Sequence, residues 1–216
     1  MTLAFFQEEL ESIYGVRAPR VERFLVDREV VREAAGDPRA PELLLVREVG
    51  GDVEVALFLD ESVVSTTAGI DADHARPRLV ARAVLNDVGC AAEGVSHFVY
   101  LATRAEAGQP VSLLELEVQA EVDKFALLLL HLWRRGLRRF SAALRRRLFE
   151  SVRYHAHLAP EELARYQLAT RLAAGSARWL EARYVGDADL DGLLRELRRT
   201  YRRGGGEKIG YLSGRR

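Results

Sequence analysis

Hydrophobic residues return at every third or fourth position from Leu114 to Leu132, and that rhythm predicts a long helix. Leu114, Val118, Val122, Phe125, Leu129 and Leu132 form one stripe. Ser112 and Glu115 have the spacing of a capping box, and Gly136 stands where a helix stops. The helix is therefore expected over 113–135. Phe125 to Leu130 is apolar on every side, which places the middle of this helix in a core. A second stripe carries Glu117, Glu121, Lys124 and His131. Carboxylates on a buried helix need partners, so this stripe is the first candidate site.

Upstream, the pattern is shorter and partly of period two. Glu42 to Glu48 and Val53 to Leu59 flank Gly50-Gly51-Asp52, the punctuation of a β-hairpin. Val21 to Val26 reads as a strand, and the hairpin edge is available to another chain. Ala4 to Tyr14 reads as a helix stopped by Gly15. Asp27 caps a short helix ending at Gly36, and Asp60 to Thr67 reads as a helical turn. From about Asp73 the pattern is helical, with Pro77 in a first turn and an end near Glu106. After Gly108-Gln109-Pro110 come the helix 113–135 and segments 137–157, 160–184 and 190–203. Pro160 with Glu161 and Glu162 makes a helix start, and Asp189 a cap. The segment 204–216 is glycine-rich and basic and reads as a mobile tail. The expected fold is α+β, mostly α. A small N-terminal α/β part (1–70, hairpin 42–59) precedes a bundle of about five helices (71–203) and a basic tail (204–216).

The helix before 113–135 has its own polar line. Asn86, Cys90, Glu93, His97 and Arg104 keep to one face, opposite Leu79, Ala83, Val88, Ala92, Val95 and Val99. Gly89 and Gly94 interrupt its interior, and close packing against a neighbour is one reason to keep them. Counting outward from Gly108 in an antiparallel hairpin sets His97 level with about Gln119, and Glu93 with about Asp123 and Lys124. Facing lines would gather Glu93, His97, Glu117, Glu121 and Lys124, with His155 and His157 able to join. Three readings stay open. One is a structural network in which Glu93 pairs with Lys124 and His97 with Glu121. The second is a transition-metal site of Glu93, His97, Glu117 and Glu121, which lacks the Glu-x-x-His spacing of di-iron bundles and is not required by the sequence. The third is metal-free acid–base chemistry, with His97 as base and Glu121 or Glu117 orienting it.

Charge changes the picture more than composition does. The chain has 216 residues, 48% hydrophobic and 30% charged, with a formal net charge of zero. Residues 1–130 nevertheless sum to −11 and residues 131–216 to +11. Residues 131–158 hold eight arginines against Glu150 alone. Residues 192–216 hold eight cations against two acids. Side by side, the two segments would form a basic surface for an anionic partner: an acidic protein, a second copy of the chain, or nucleic acid read without sequence preference. The residues expected to carry it are Arg138, Arg139, Arg145, Arg146, Arg147, Arg153, Arg198, Arg199, Arg202 and Arg203. Leu137, Phe140, Leu144, Leu148 and Val152 supply the core face between them. Only Lys124 and Lys208 are lysines; the other 30 cations are arginine.

The classical nucleophile and phosphate-cradle motifs are missing, which leaves enzymatic activity undecided. Cys90 is the only cysteine, and MTLAFFQEEL has no basic leader region. No apolar run is long enough to span a bilayer. These features favour a cytoplasmic binding or adaptor protein, with a Glu/His metal site or enzyme as the alternative.

Overall fold

A computed structural model describes residues 1–36, 40–69, 82–154 and 158–215. The fold is α+β and mostly helical, with a small sheet near the N-terminus. The chain divides into two compact units, residues 1–12 with 16–109, and residues 13–15 with 110–216. Within the first unit, the helix 82–106 covers the sheet.

The first unit begins with α1 (Leu3–Tyr14), whose last residues count with the second unit. Val21–Phe24 is a 3-10 turn, and only Leu25–Val26 (β1) pairs as a strand. The expected strand is shortened because the Val21 N–H donates to the Gln7 side chain (2.8 Å) and so leaves the ladder. In α2 (Arg28–Ala35) the Asp27 carboxylate accepts from two backbone N–H groups, as the sequence suggested. The strands β2 (Glu42–Val49) and β3 (Asp52–Leu59) form the hairpin. Gly50 and Gly51 both take positive φ, 62° and 94°, which a tight hairpin turn demands. β1 joins β3 in parallel, so β2 is an edge of the sheet, with Val46 and Val49 exposed. The helix α3 (Glu61–Ala68) is capped by Asp60. The start of the next helix near Asp73, with Pro77 and Leu79, lies outside the described residues.

α4 (Arg82–Glu106) lies on the sheet. Gly94 explains how closely. A Cβ there would sit 2.9 Å from Glu42 Cγ and within 3.2 Å of Leu57 and Leu59 side-chain carbons. Val88, Ala92, Val95 and Val99 are buried, as the periodicity required.

The second unit is built around α5 (Leu113–Arg134), with Phe125 to Leu130 buried. Ser112 caps α5, but the capping box is not reciprocal. Glu115 is fully buried and accepts instead from the distant Gly205 N–H at 2.9 Å. Gly136 (φ 67°) ends the segment. The expected helix 137–157 is broken. A 3-10 turn, Arg138–Phe140, leads into α6 (Ser141–Phe149), and residues 150–154 are irregular. Its apolar face is narrower than the spacing implied. Leu144 and Phe149 are buried, while Phe140 (47%) and Val152 (37%) are exposed. α7 (Pro160–Leu180) packs on α5 and α6 and continues into a π-helical turn, Glu181–Val185. α8 (Leu190–Arg202) is capped by Asp189.

The expected mobile tail is a further helix, α9 (Gly205–Ser213). It packs on α5, α7 and α8, with Lys208 and Leu212 buried. Local composition argued against it, since glycine weakens helices. Long-range contacts override that weakness.

Candidate functional site

The residues of the expected Glu/His cluster fall on both units, Glu93 and His97 on the first, Glu117, Glu121 and Lys124 on the second. In the first, α4 presents Glu93, half-buried, one turn before His97, 7% exposed. A Glu93 carboxylate oxygen and a His97 ring nitrogen lie within 4.8 Å of each other. His97 Nδ1 is 3.2 Å from Glu42 Oε1 at the start of β2. Helical spacing identified Glu93 and His97. Glu42 carried no signal, because its approach depends on Gly94 letting the strand close on the helix.

In the second unit Lys124 Nζ donates to Glu121 Oε1 (2.9 Å), one turn back on the same helix. Glu117 is 8% exposed, with a carboxylate oxygen 3.8 Å from Arg165 Nε. His155 and His157 lie outside the described residues.

The arginine-rich segment sorts its own charges. Arg145 turns inward, 12% exposed, donating to Glu181 (2.6 Å) and Glu150 (3.0 Å). Burial pulls its pKa down, but these carboxylates outweigh burial and hold it above the ordinary arginine value. Arg145 is thus committed to internal carboxylates. Arg139, Arg146, Arg147 and Arg153 are exposed, and Arg138 is half-buried. Arg139, Arg146 and Arg153 form no ion pair with another described residue. On α8, Arg198 donates to the Ile13 carbonyl (2.7 Å). Arg203 lies 3.9 Å from the Tyr211 ring and 3.0 Å from Glu207. Arg199 and Arg202 are exposed. Both α6 and α8 pack against the π turn, so the two basic segments border a common element.

At that element lies a cleft of about 510 Å³. It is lined by Gly136, Arg138, Arg139, Ser141, Glu181, Val185 and Gly186. π turns occur often at functional sites. Nothing in the periodicity of residues 160–184 distinguished this turn from ordinary helix.

Two buried polar networks also escaped the sequence reading. In one, Tyr14 donates a very short hydrogen bond to Asp123, and Gln119 donates to the same oxygen at 2.7 Å. Lys208 Nζ, fully buried, donates to Gln119 Oε1 at 2.7 Å. Burial and the Asp123 carboxylate push the Tyr14 phenol well above its ordinary pKa, so it stays neutral and donates. In the other, Arg215 pairs closely with Glu196, and its guanidinium lies 4.2 Å from both the Trp179 and Tyr211 rings. Tyr211 donates to Glu196 at 2.6 Å. The usable signal was the rarity of lysine, since Lys124 and Lys208 are both largely withdrawn from solvent.

No family model matches this chain, and no curated protein or solved structure is similar to it. Among the described residues, no helix is long and apolar enough to cross a membrane.

Proposed function

We propose that the protein is a binding protein whose second unit engages an anionic partner through arginines left outside internal pairing. One observation supports this above the rest: of the α6 arginines, Arg145 is spent on Glu181 and Glu150, while Arg146 stands in solvent with no acid among the described residues. Arg139 and Arg153 extend the same excess. The unit as a whole holds 21 Lys and Arg against 13 Asp and Glu. An acidic protein in the cytoplasm, a second copy included, is the favoured partner, and nucleic acid is the other carrier of matching charge. The test is fluorescence anisotropy with labelled polyglutamate and a short DNA duplex, comparing wild type with Arg139→Ala/Arg146→Ala/Arg153→Ala. Loss of at least ten-fold in affinity for one probe, with the fold retained, supports the reading. Equal affinity of the two proteins for both probes contradicts it.

A second reading rests on the first unit. His97 and Glu42 are spaced as a base and the carboxylate that orients it, with Glu93 one turn away. The same donors suit a divalent transition metal. Near-stoichiometric metal in the purified protein, lost in His97→Ala with the fold intact, would favour this alternative.

A further inference from the structure

We propose that the outer edge of β2 pairs with β2 of a second copy of this chain, antiparallel about a two-fold axis through Val46, to make one continuous sheet. The proposal is independent of the arginine reading, because every residue it uses lies in the first unit.

The backbone sets which groups face outward. Val49 and Asp52 flank the two-residue turn, and the same register brings the Asp60 N–H to the Pro41 carbonyl at 2.8 Å. The odd-numbered residues of β2 therefore turn their N–H and C=O groups toward β3, and Leu44, Val46 and Glu48 turn theirs outward. Those outward groups meet no partner among the described residues. The edge also lacks the usual protection. Pairing with β3 runs unbroken from Glu42 to Val49, so no bulge bends it, and no proline or lysine falls within it. Its one arginine, Arg47, is taken by Glu54 on β3. Val46 and Val49 are each 47% exposed. The opposite edge of the sheet, β1, is only two residues long.

The sequence of the strand selects the occupant. Identical edges join about a two-fold axis, so the residue on the axis faces itself and its neighbours pair symmetrically. An axis at Arg47 or Glu48 sets like charges face to face, and an axis at Leu45 sets Glu42 against Glu48. An axis at Leu44 leaves Val49 unpaired, and one at Val49 runs the strand against the turn. With the axis at Val46, no charge lies opposite a like charge. Val46 meets Val46 of the second copy, Val49 meets its Leu43, and Glu48 meets its Leu44. Val55 sits beside Val46 on β3, so four valines line up across the four central strands. Leu44, Val46 and Glu48 then exchange about six hydrogen bonds across the axis. Self-pairing covers both exposed valines of the strand without opposing charges, which favours a second copy over an unrelated strand.

Sedimentation velocity of the full chain across a wide range of concentration tests this. The expected result is a reversible dimer that persists in high salt, since it rests on backbone hydrogen bonds and apolar contact. Val46→Pro removes only an outward N–H and spares the ladder with β3. It and Val46→Lys should each weaken association at least ten-fold, with circular dichroism reporting the fold. Arg139→Ala/Arg146→Ala should dimerise as wild type does. The register has its own readout. In a Cys90→Ser background, a short bifunctional maleimide should link two chains carrying Val46→Cys. It should not link chains carrying Glu48→Cys, whose two positions lie roughly 14 Å apart in this pairing.

A monomer at every concentration overturns the proposal and leaves the edge to a strand of another protein. A dimer that both Val46 variants leave intact overturns it too, as does linking through position 48 rather than 46. A dimer lost in high salt or in Arg139→Ala/Arg146→Ala belongs to the arginine surface and overturns it as well. If both Val46 variants fail to fold, the cross-linking decides.

Discussion

Two nine-residue helices of the second unit, α6 and α9, treat their cations in opposite ways. α6 holds three consecutive arginines and leaves Arg146 in solvent. α9 holds Lys208, fully buried, and is followed by Arg215, 5% exposed. The difference lies in what waits inside. Lys208 meets the Gln119 carbonyl, and Arg215 meets Glu196 between two aromatic rings. Along α6 the inward partner, Glu181, serves Arg145 alone. A run of positive charge in a sequence therefore does not by itself locate a positive surface. Only cations that exceed the acids placed to receive them are available to a partner.

Four substitutions test this contrast, from the largest expected effect to the smallest. Lys208→Ala leaves the buried Gln119 carbonyl without its donor and opens a cavity, and should destabilise the second unit by about 2–5 kcal/mol in denaturant unfolding. A loss below about 1 kcal/mol would mean that α9 is not held as described. Gly175→Ala drives a Cβ to 2.5 Å from the Arg215 backbone carbonyl, so about 1–3 kcal/mol should be lost as the chain after α9 is displaced. Unchanged thermal stability would break the link between that chain and α7.

Tyr14→Phe removes a buried donor to Asp123, at about 1–2 kcal/mol near neutral pH. It also has a pH signature. Because the folded pKa of Tyr14 is raised, the protonated phenol is favoured in the folded state. Its stabilisation is complete below the unfolded value near 10 and is lost as pH rises through the folded pKa. Wild type should therefore lose stability above about pH 10 more steeply than Tyr14→Phe. Parallel alkaline profiles would contradict the assignment. Finally, Arg146→Ala on the outward face of α6 should change unfolding free energy by less than about 0.5 kcal/mol.

Elements whose signals are local were legible. The hairpin followed from Gly50-Gly51, the short helices from Asp27 and Asp60, and α5 from its stripe and Ser112. Elements held by distant partners were not. The 3-10 turn at Val21 depends on Gln7, the unpaired half of the capping box on Gly205, and α9 on Gln119. The candidate sites follow the same rule. Spacing alone gathered Glu93 with His97, and composition alone gathered the α6 arginines. Glu42 beside His97, Glu181 beside Arg145 and the cleft at the π turn arise only where separate segments meet.

The most direct test of the central claim is the salt dependence of binding to an anionic probe, measured for wild type and Arg139→Ala/Arg146→Ala. If the outward arginines form the contact surface, affinity falls steeply with salt in the wild type. The log–log slope should be shallower in the variant by roughly one for each arginine removed. Equal slopes in the two proteins would mean that these arginines contact nothing, and the anionic-partner account would fail.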